Sequence, residues 1–192
     1  MIELLNNGYD NTQSLVVTYP RTIQITFGNY PAKHEIHNLI FDIQKKIIDE
    51  NSYKSNVKGG MTGWQDFIDH PFVINFLNFC IAKHAKSNPD LFDGFNFKYK
   101  LVEAWGNEIK KGDSVDLHIH SMHHCIIYLT HGSPLYLPDL QLKITPKPGD
   151  YYFFPPFVKH GVDVSQDEKN RYCLVLNIEK LPVQQIPKEL KK

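Results

Sequence analysis

The sequence predicts a mainly β fold, a sandwich or barrel with helices packed on one face. Three observations carry this. From about Phe95 onward, short β-rich runs follow one another with turn residues between them. Ahead of them stand two long stretches with apolar residues at helical spacing. One of the later runs, VDLHIH, alternates strictly between apolar and polar residues, as a strand does.

Taken in order, TIQITFG (22–28) alternates and is rich in β-branched residues, which predicts a strand. Residues 32–51 place Ile36, Leu39, Ile40, Ile43 and Ile47 on one helical face, and Pro31 suits the helix start. KGGMTGW (58–64) reads as a glycine-rich loop, an ordinary connection with a lid as the alternative. Residues 65–86 read as helical with Phe72, Phe76, Leu77 and Phe79 inward; Pro71 either starts the longer helix or breaks the pattern. Six strands are then expected, over 97–106, 114–120, 125–130, 140–145, 150–155 and 171–179, with KKGD, HGSP and KPGD as turns.

A chain of 192 residues suits one domain, and 42% hydrophobic with 22% charged residues gives it a core of its own. The formal net charge of zero supplies no field to attract nucleic acid or an anionic membrane surface. No apolar run approaches a membrane span, and MIELLNNGYDNTQ has no signal-peptide pattern. Cys80, Cys125 and Cys173 form no CxxC and read as reduced thiols, so the expected compartment is the cytoplasm.

The chemistry concentrates in VDLHIHSMHH (115–124), which holds four of the ten histidines. Residues two apart on a strand share a face, so Asp116, His118 and His120 are expected together, opposite Val115, Leu117 and Ile119. Neutral imidazole is the commonest metal ligand, and three N/O ligands on one side leave positions open. The alternative is a polar strand face turned to solvent. His123 and His124 are adjacent and cannot both face a barrel interior; they read as a strand start or loop near the pocket mouth, more a surface pair than a substrate contact. His160, alone in KPGDYYFFPPFVKHGVDV, reads by itself as structural. Arg171 opens the apolar run YCLVLNI, where a cation calls for an anionic partner; a carboxylate matches its planar fork.

Taken together, WGN, KKGD, HIH, IIYL, PKPGDYYFFP, KHGV and RYCLVLN resemble the 2-oxoglutarate- and iron(II)-dependent oxygenases with an HxH motif, prolyl-hydroxylase-like proteins of bacteria and phages. The resemblance spans about residues 95–180 and extends weakly to GGMTGW. It implies a double-stranded β-helix, the jelly roll shared with cupins, with helices supporting the larger sheet. The single domain then divides into an N-terminal strand and supporting helices (1–94), a jelly-roll catalytic core (95–180) and a tail (181–192). It implies His118 and His160 as ligands of Fe(II), and Arg171 as the clamp on the distal carboxylate of 2-oxoglutarate. Cys173 stands where many relatives carry serine; a thiol is the weaker donor. Tyr128 or Tyr152 is a candidate phenol to the same carboxylate. Asn107, His124 and Asn177 are candidate pocket residues.

His120 occupies the place of the family's usual carboxylate, which makes the site one unit more positive and alters the metal's electronics. His118, His120 and His160 are the favoured set, with Asp116 as an alternative ligand or an acceptor orienting His118. The resemblance implies an enzyme that couples decarboxylation of 2-oxoglutarate by O2 to hydroxylation of a small-molecule, peptide or protein substrate. A three-histidine cupin-type dioxygenase or isomerase without 2-oxoglutarate is the alternative enzyme, and Arg171 discriminates the two. A jelly-roll binding module without catalysis is the remaining alternative. For assembly, a homodimer is the default expectation.

Overall fold

The computed structural model describes residues 2–6, 13–18, 22–32, 34–47, 55–87 and 97–182. Among these, thirteen strands and two α-helices follow in chain order. Strands β1 (Ile2–Asn6), β2 (Gln13–Thr18) and β3 (Thr22–Asn29) precede helix α1 (His34–Lys46). Short strands β4 (Val57–Lys58) and β5 (Gly60–Met61) lead to helix α2 (Pro71–Ser87). Then come β6 (Phe97–Ile109), β7 (Ser114–His118), β8 (His123–Tyr128), β9 (Leu135–Leu137), β10 (Leu142–Ile144), β11 (Asp150–Phe154), β12 (His160–Val162) and β13 (Arg171–Pro182).

Two antiparallel sheets form. The larger runs β1-β2-β3-β11-β8-β13-β6-β5 and the smaller β10-β9-β12-β7-β4. Facing each other, they make the double-stranded β-helix. The larger sheet is buried on both faces. Behind it, Leu174, Leu176, Ile127, Phe153 and Cys125 meet Leu39 and Ile43 of α1 and Phe72, Val73, Phe76 and Cys80 of α2. Inside, Val175, Ile126, Tyr152, Phe154 and Trp105 meet Leu135, Leu137 and Val158 of the opposing wall. Helix α1 approaches closely because Gly106 of β6 has no side chain: a Cβ there would overlap Ile43.

Several expectations need correction. β3 does not stand alone, because the hairpin β1–β2 extends its edge. The jelly roll also recruits β3, β4 and β5 from the N-terminal part, so residues 95–180 alone do not complete it. The glycine-rich loop carries β4 and β5; without large side chains its backbone reaches β7 and β6 and pairs there. Helix α1 covers 34–46 of the expected 32–51, and residues 48–51 lie outside the described residues. Residues 64–69 form turns, and α2 starts at Pro71, whose missing N–H costs nothing at a first helical position. The run 140–145 divides into a 3-10 turn (Pro138–Leu140) and β10, with β9 unforeseen before it. The last strand continues to Pro182; residues 183–192 of the expected tail are outside the described residues.

Behind the sheet, His84 of α2 and His123 of β8 flank Phe153, and His84 Nδ1 meets Thr26 Oγ1 at 2.8 Å. Burial, then the neighbouring His123 and Lys180, lowers His84 to about 4; burial, then Lys180, lowers His123 to about 4. In the unfolded chain both protonate near 6.5. The unfolded state therefore binds more protons below that pH, and stability falls as pH drops from about 6.5 toward 4. Urea denaturation at pH 7.5 and pH 5 should show the lower midpoint at pH 5, with a smaller drop in His84→Gln. A pH-independent midpoint contradicts this. Separately, Gly106→Ala forces Ile43 out of place and should cost about 1–3 kcal/mol, read as a lower urea midpoint.

Candidate metal centre and its cavity

The centre begins with the pairing of β7 and β12, which sets His118 directly opposite His160. The next partners are Val115 and Val162, three residues away on one strand and two on the other. That bulge resets the alternation of β7. Val115 and His118 both line the cavity, while Asp116 turns out to solvent and pairs with Lys58 Nζ at 3.2 Å. Asp116 is thus a correction: its carboxylate is not among the clustered ligand atoms. Only its backbone serves, as the carbonyl that accepts from His118 Nδ1 at 2.7 Å. The apolar partners also differ from expectation: Leu117 is 47% and Ile119 is 59% exposed rather than core. β7 ends at His118, and His120 reaches the centre from the segment beyond it, held by its N–H to Pro156 O at 3.0 Å.

The ligand atoms of His118, His120 and His160 all lie within 4.8 Å of one another. Their outer nitrogens explain the orientation. A carbonyl can only accept, so Nδ1 of His118 and Nδ1 of His160, the latter 3.0 Å from Val158 O, carry the protons. This leaves each Nε2 with a free lone pair toward the centre. His118 Nε2 and His120 Nε2 are 3.1 Å apart, a spacing that a shared cation relieves. Burial keeps all three neutral, the form that ligates. It lowers His118, and lowers His120 to about 4 and His160 to about 3, in both cases helped by neighbouring His118.

His124, read both as part of a surface pair at the pocket mouth and as a candidate pocket residue, lines the cavity. It lies within β8 and faces inward, its ring stacked on His120 with centroids 3.8 Å apart. Its Nδ1 donates to Asn177 Oδ1 (3.1 Å), and Asn177 Nδ2 donates to Glu103 Oε2 (2.6 Å). Burial first, then His120 and His160, holds His124 well below the usual imidazole range. His123 faces the helices instead.

A cavity of about 260 Å³ joins this centre to Arg171, Cys173 and Asn107. Arg171 is 2% exposed at the start of β13. Its Nη1 donates to Ser133 O at 2.8 Å, and its guanidinium carbon lies 5.2 Å from the Tyr128 ring centroid. Gly132 lies against it, at φ +152°, where a Cβ would meet Arg171 Cβ at 2.7 Å. Among the described residues no carboxylate pairs with Arg171, and its Nε has no partner. Two more orphaned buried atoms belong to residues that line the same space, Asn107 Oδ1 and Trp105 Nε1, and a third is the hydroxyl of Tyr128, whose ring packs on Arg171. Burial raises the Tyr128 phenol, and burial with Asp150 raises that of Tyr152, so both stay protonated. Neither tyrosine lines the cavity; Tyr128 lies under Arg171, and Tyr152 packs on Phe27. The Cys173 thiol lines it, raised by burial against the opposing pull of Arg171.

Trp64, Trp105, Glu103 and Ser133 escaped the sequence reading as site residues. The signal for two of them was present: Glu103 and Trp105 stand four and two residues before Asn107 on one strand, hence on one face.

No family model matches the chain, and no curated sequence relative matches it. Solved structures do. The viral collagen prolyl hydroxylase vCPH from Paramecium Bursaria Chlorella virus-1, in its 2OG complex, aligns at TM-score 0.60 and 16% identity, covering 82% of this chain and 96% of that one. A Pseudomonas putida prolyl-4-hydroxylase aligns at 0.59 and 13%, covering 81% and 91%. HygX from Streptomyces hygroscopicus, with nickel and 2-oxoglutarate bound, aligns at 0.54 and 12%, covering 80% and 82%. At such identities the likeness defines the fold: this chain is a double-stranded β-helix built as in these proteins.

The convergence of three imidazoles fits a divalent metal ion. His118→Ala and His160→Ala should each lower divalent metal occupancy severely, while Asp116→Asn should leave it nearly intact. Metal analysis after anaerobic loading with iron(II) reads this directly. Loss in Asp116→Asn equal to that in His118→Ala would return Asp116 to the ligand set.

Proposed function

We propose that this chain is a non-haem Fe(II)- and 2-oxoglutarate-dependent oxygenase that hydroxylates a small-molecule, peptide or protein substrate. The observation that carries the reading is the pairing, in one cavity, of three convergent imidazoles with a buried guanidinium that lacks an anion. The donor set fits iron(II): three neutral nitrogens on one side leave positions open. Support also comes from the solved relatives, of which vCPH was captured with 2OG and HygX with nickel and 2-oxoglutarate.

Bound there, the metal would supply oxygen activation coupled to 2-oxoglutarate decarboxylation. The chain supplies position. His118, His120 and His160 would hold the ion, the tautomers of His118 and His160 set by Asp116 O and Val158 O. Arg171 would take the distal carboxylate of 2-oxoglutarate on its unpaired Nε side, while Nη1 stays anchored on Ser133 O. Asn107 and the Cys173 thiol line that end. The Tyr128 phenol, protonated and orphaned, is a donor beside the guanidinium. Ile126, Val175 and Leu135 make the walls between the two ends apolar, which keeps water from competing for these hydrogen bonds.

No helix among the described residues is long and apolar enough to cross a membrane. Cys80, Cys125 and Cys173 are free and buried, which supports a reducing compartment such as the cytoplasm.

The test is a calorimetric titration of 2-oxoglutarate into metal-loaded protein. A charged hydrogen bond contributes about 1.5–3 kcal/mol, so Arg171→Ala should weaken binding by roughly ten- to hundredfold with the metal retained. Arg171→Lys should rescue poorly, since a point charge does not reproduce the fork. Equal affinity in all three proteins would overturn the reading and favour a three-histidine metal enzyme that does not use 2-oxoglutarate.

A further inference from the structure

Only two charged side chains line the cavity among the described residues, apart from the histidines: Arg171 and Glu103. The strand register puts them at opposite ends. Arg171 pairs with Ile109 of β6, whereas Glu103 lies six residues earlier on that strand, opposite Asn177. At about 3.3 Å per residue this is about 20 Å along the strand. In the same row as Glu103 and Asn177, His124 of β8 stacks on His120. The Arg171 end is closed, and the Glu103 end is where the cavity meets Ser55, Asn56, Trp64, Ile119 and Ser121.

Glu103 is half-buried, and no cationic side chain pairs with it among the described residues. One of its oxygens accepts from Asn177. Two residues along β6, Trp105 packs edge-on against Trp64, centroids 4.8 Å apart, and Trp64 is 36% exposed at the opening. The segment from the glycine-rich loop is tied alongside β6 by Thr62 N–H to Gly106 O (3.0 Å), Ala104 N–H to Trp64 O (2.9 Å) and Phe67 N–H to Ala104 O (3.1 Å). That loop therefore supplies a wall of the cavity rather than a plain connection.

A carboxylate without a counter-cation, flanked by indole rings and partly shielded from water, is the arrangement that recognises a cationic amine. We infer that the mouth of this cavity binds a protonated amine, so that the substrate of the proposed oxygenase presents an ammonium group to Glu103 and Trp64. The inference rests on the proposed function only for the word substrate; the binding of the amine stands on the cavity itself. Opposite charges at the two ends would then sort the ligands: the dicarboxylate to Arg171, the amine to Glu103.

The experiment separates the two readings because it needs no turnover. Three isosteric probes, n-butylammonium, n-butanol and butyrate, are titrated into the metal-loaded protein in the presence of saturating 2-oxoglutarate. Tryptophan fluorescence and ligand-observed NMR follow binding. The ammonium should bind at least tenfold more tightly than either counterpart. Glu103→Gln, whose amide oxygen still accepts from Asn177, should abolish that preference, and Trp64→Ala should weaken ammonium binding severalfold. Each variant is checked for unchanged metal content. Equal binding of the three probes, absence of binding included, overturns the inference, as does an ammonium preference that persists in Glu103→Gln. Failure of 2-oxoglutarate to bind in calorimetry is a separate result that bears on the proposed function alone. A succinate-release panel of small amines against lysine-containing peptides then distinguishes a small-molecule amine from the ammonium of a peptide lysine.

Discussion

The structure is organised around a buried positive charge. Arg171 sits on a strand whose residues from 171 to 178 are all buried, between two apolar cores. A guanidinium withdrawn from water is costly unless its donors are met. The chain meets them only in part, with one carbonyl, one aromatic face and a glycine that makes room. Its Nε is left without a partner among the described residues. The same incompleteness runs through Tyr128, Asn107 and Trp105, whose polar atoms would be satisfied in a core that served stability alone.

Three imidazoles in place of two and a carboxylate change the electrostatics around that charge. A bound divalent ion would keep its full charge within the ligand set, because all three nitrogens are neutral. Glu103 is linked to this cluster through Asn177, which bridges it to His124. Anionic co-substrates gain from such a site, and acidic substrates would compete with them at the metal.

Much of this was legible in the sequence. Turn residues between short β-rich runs gave away the sheets, and the two amphipathic stretches gave away α1 and α2, because burial on one face imposes a period that local sequence must obey. Arg171 stood out because a cation at the head of an apolar strand has no local explanation. His160 did not stand out by itself, since three residues of strand between bends carry no periodic signal. Asp116 misled because strict alternation assumes a regular strand, and the bulge between β7 and β12 is a property of the pair. Glu103 was hidden for a related reason. Its neighbours in space come from β13, β8 and the glycine-rich loop, none of them near it in sequence.

His123 and His124 are consecutive on one strand yet belong to different environments, one against Phe153 and the helices, the other against the metal histidines. A single layer of backbone separates the two compartments. Neither can be repacked in isolation: a bulkier residue at Cys80, which touches Cys125 across 3.8 Å, presses on the strand that also carries His124. Substitutions on the helix-facing side of β8 are therefore transmitted through a single backbone layer to the imidazole cluster on its other side.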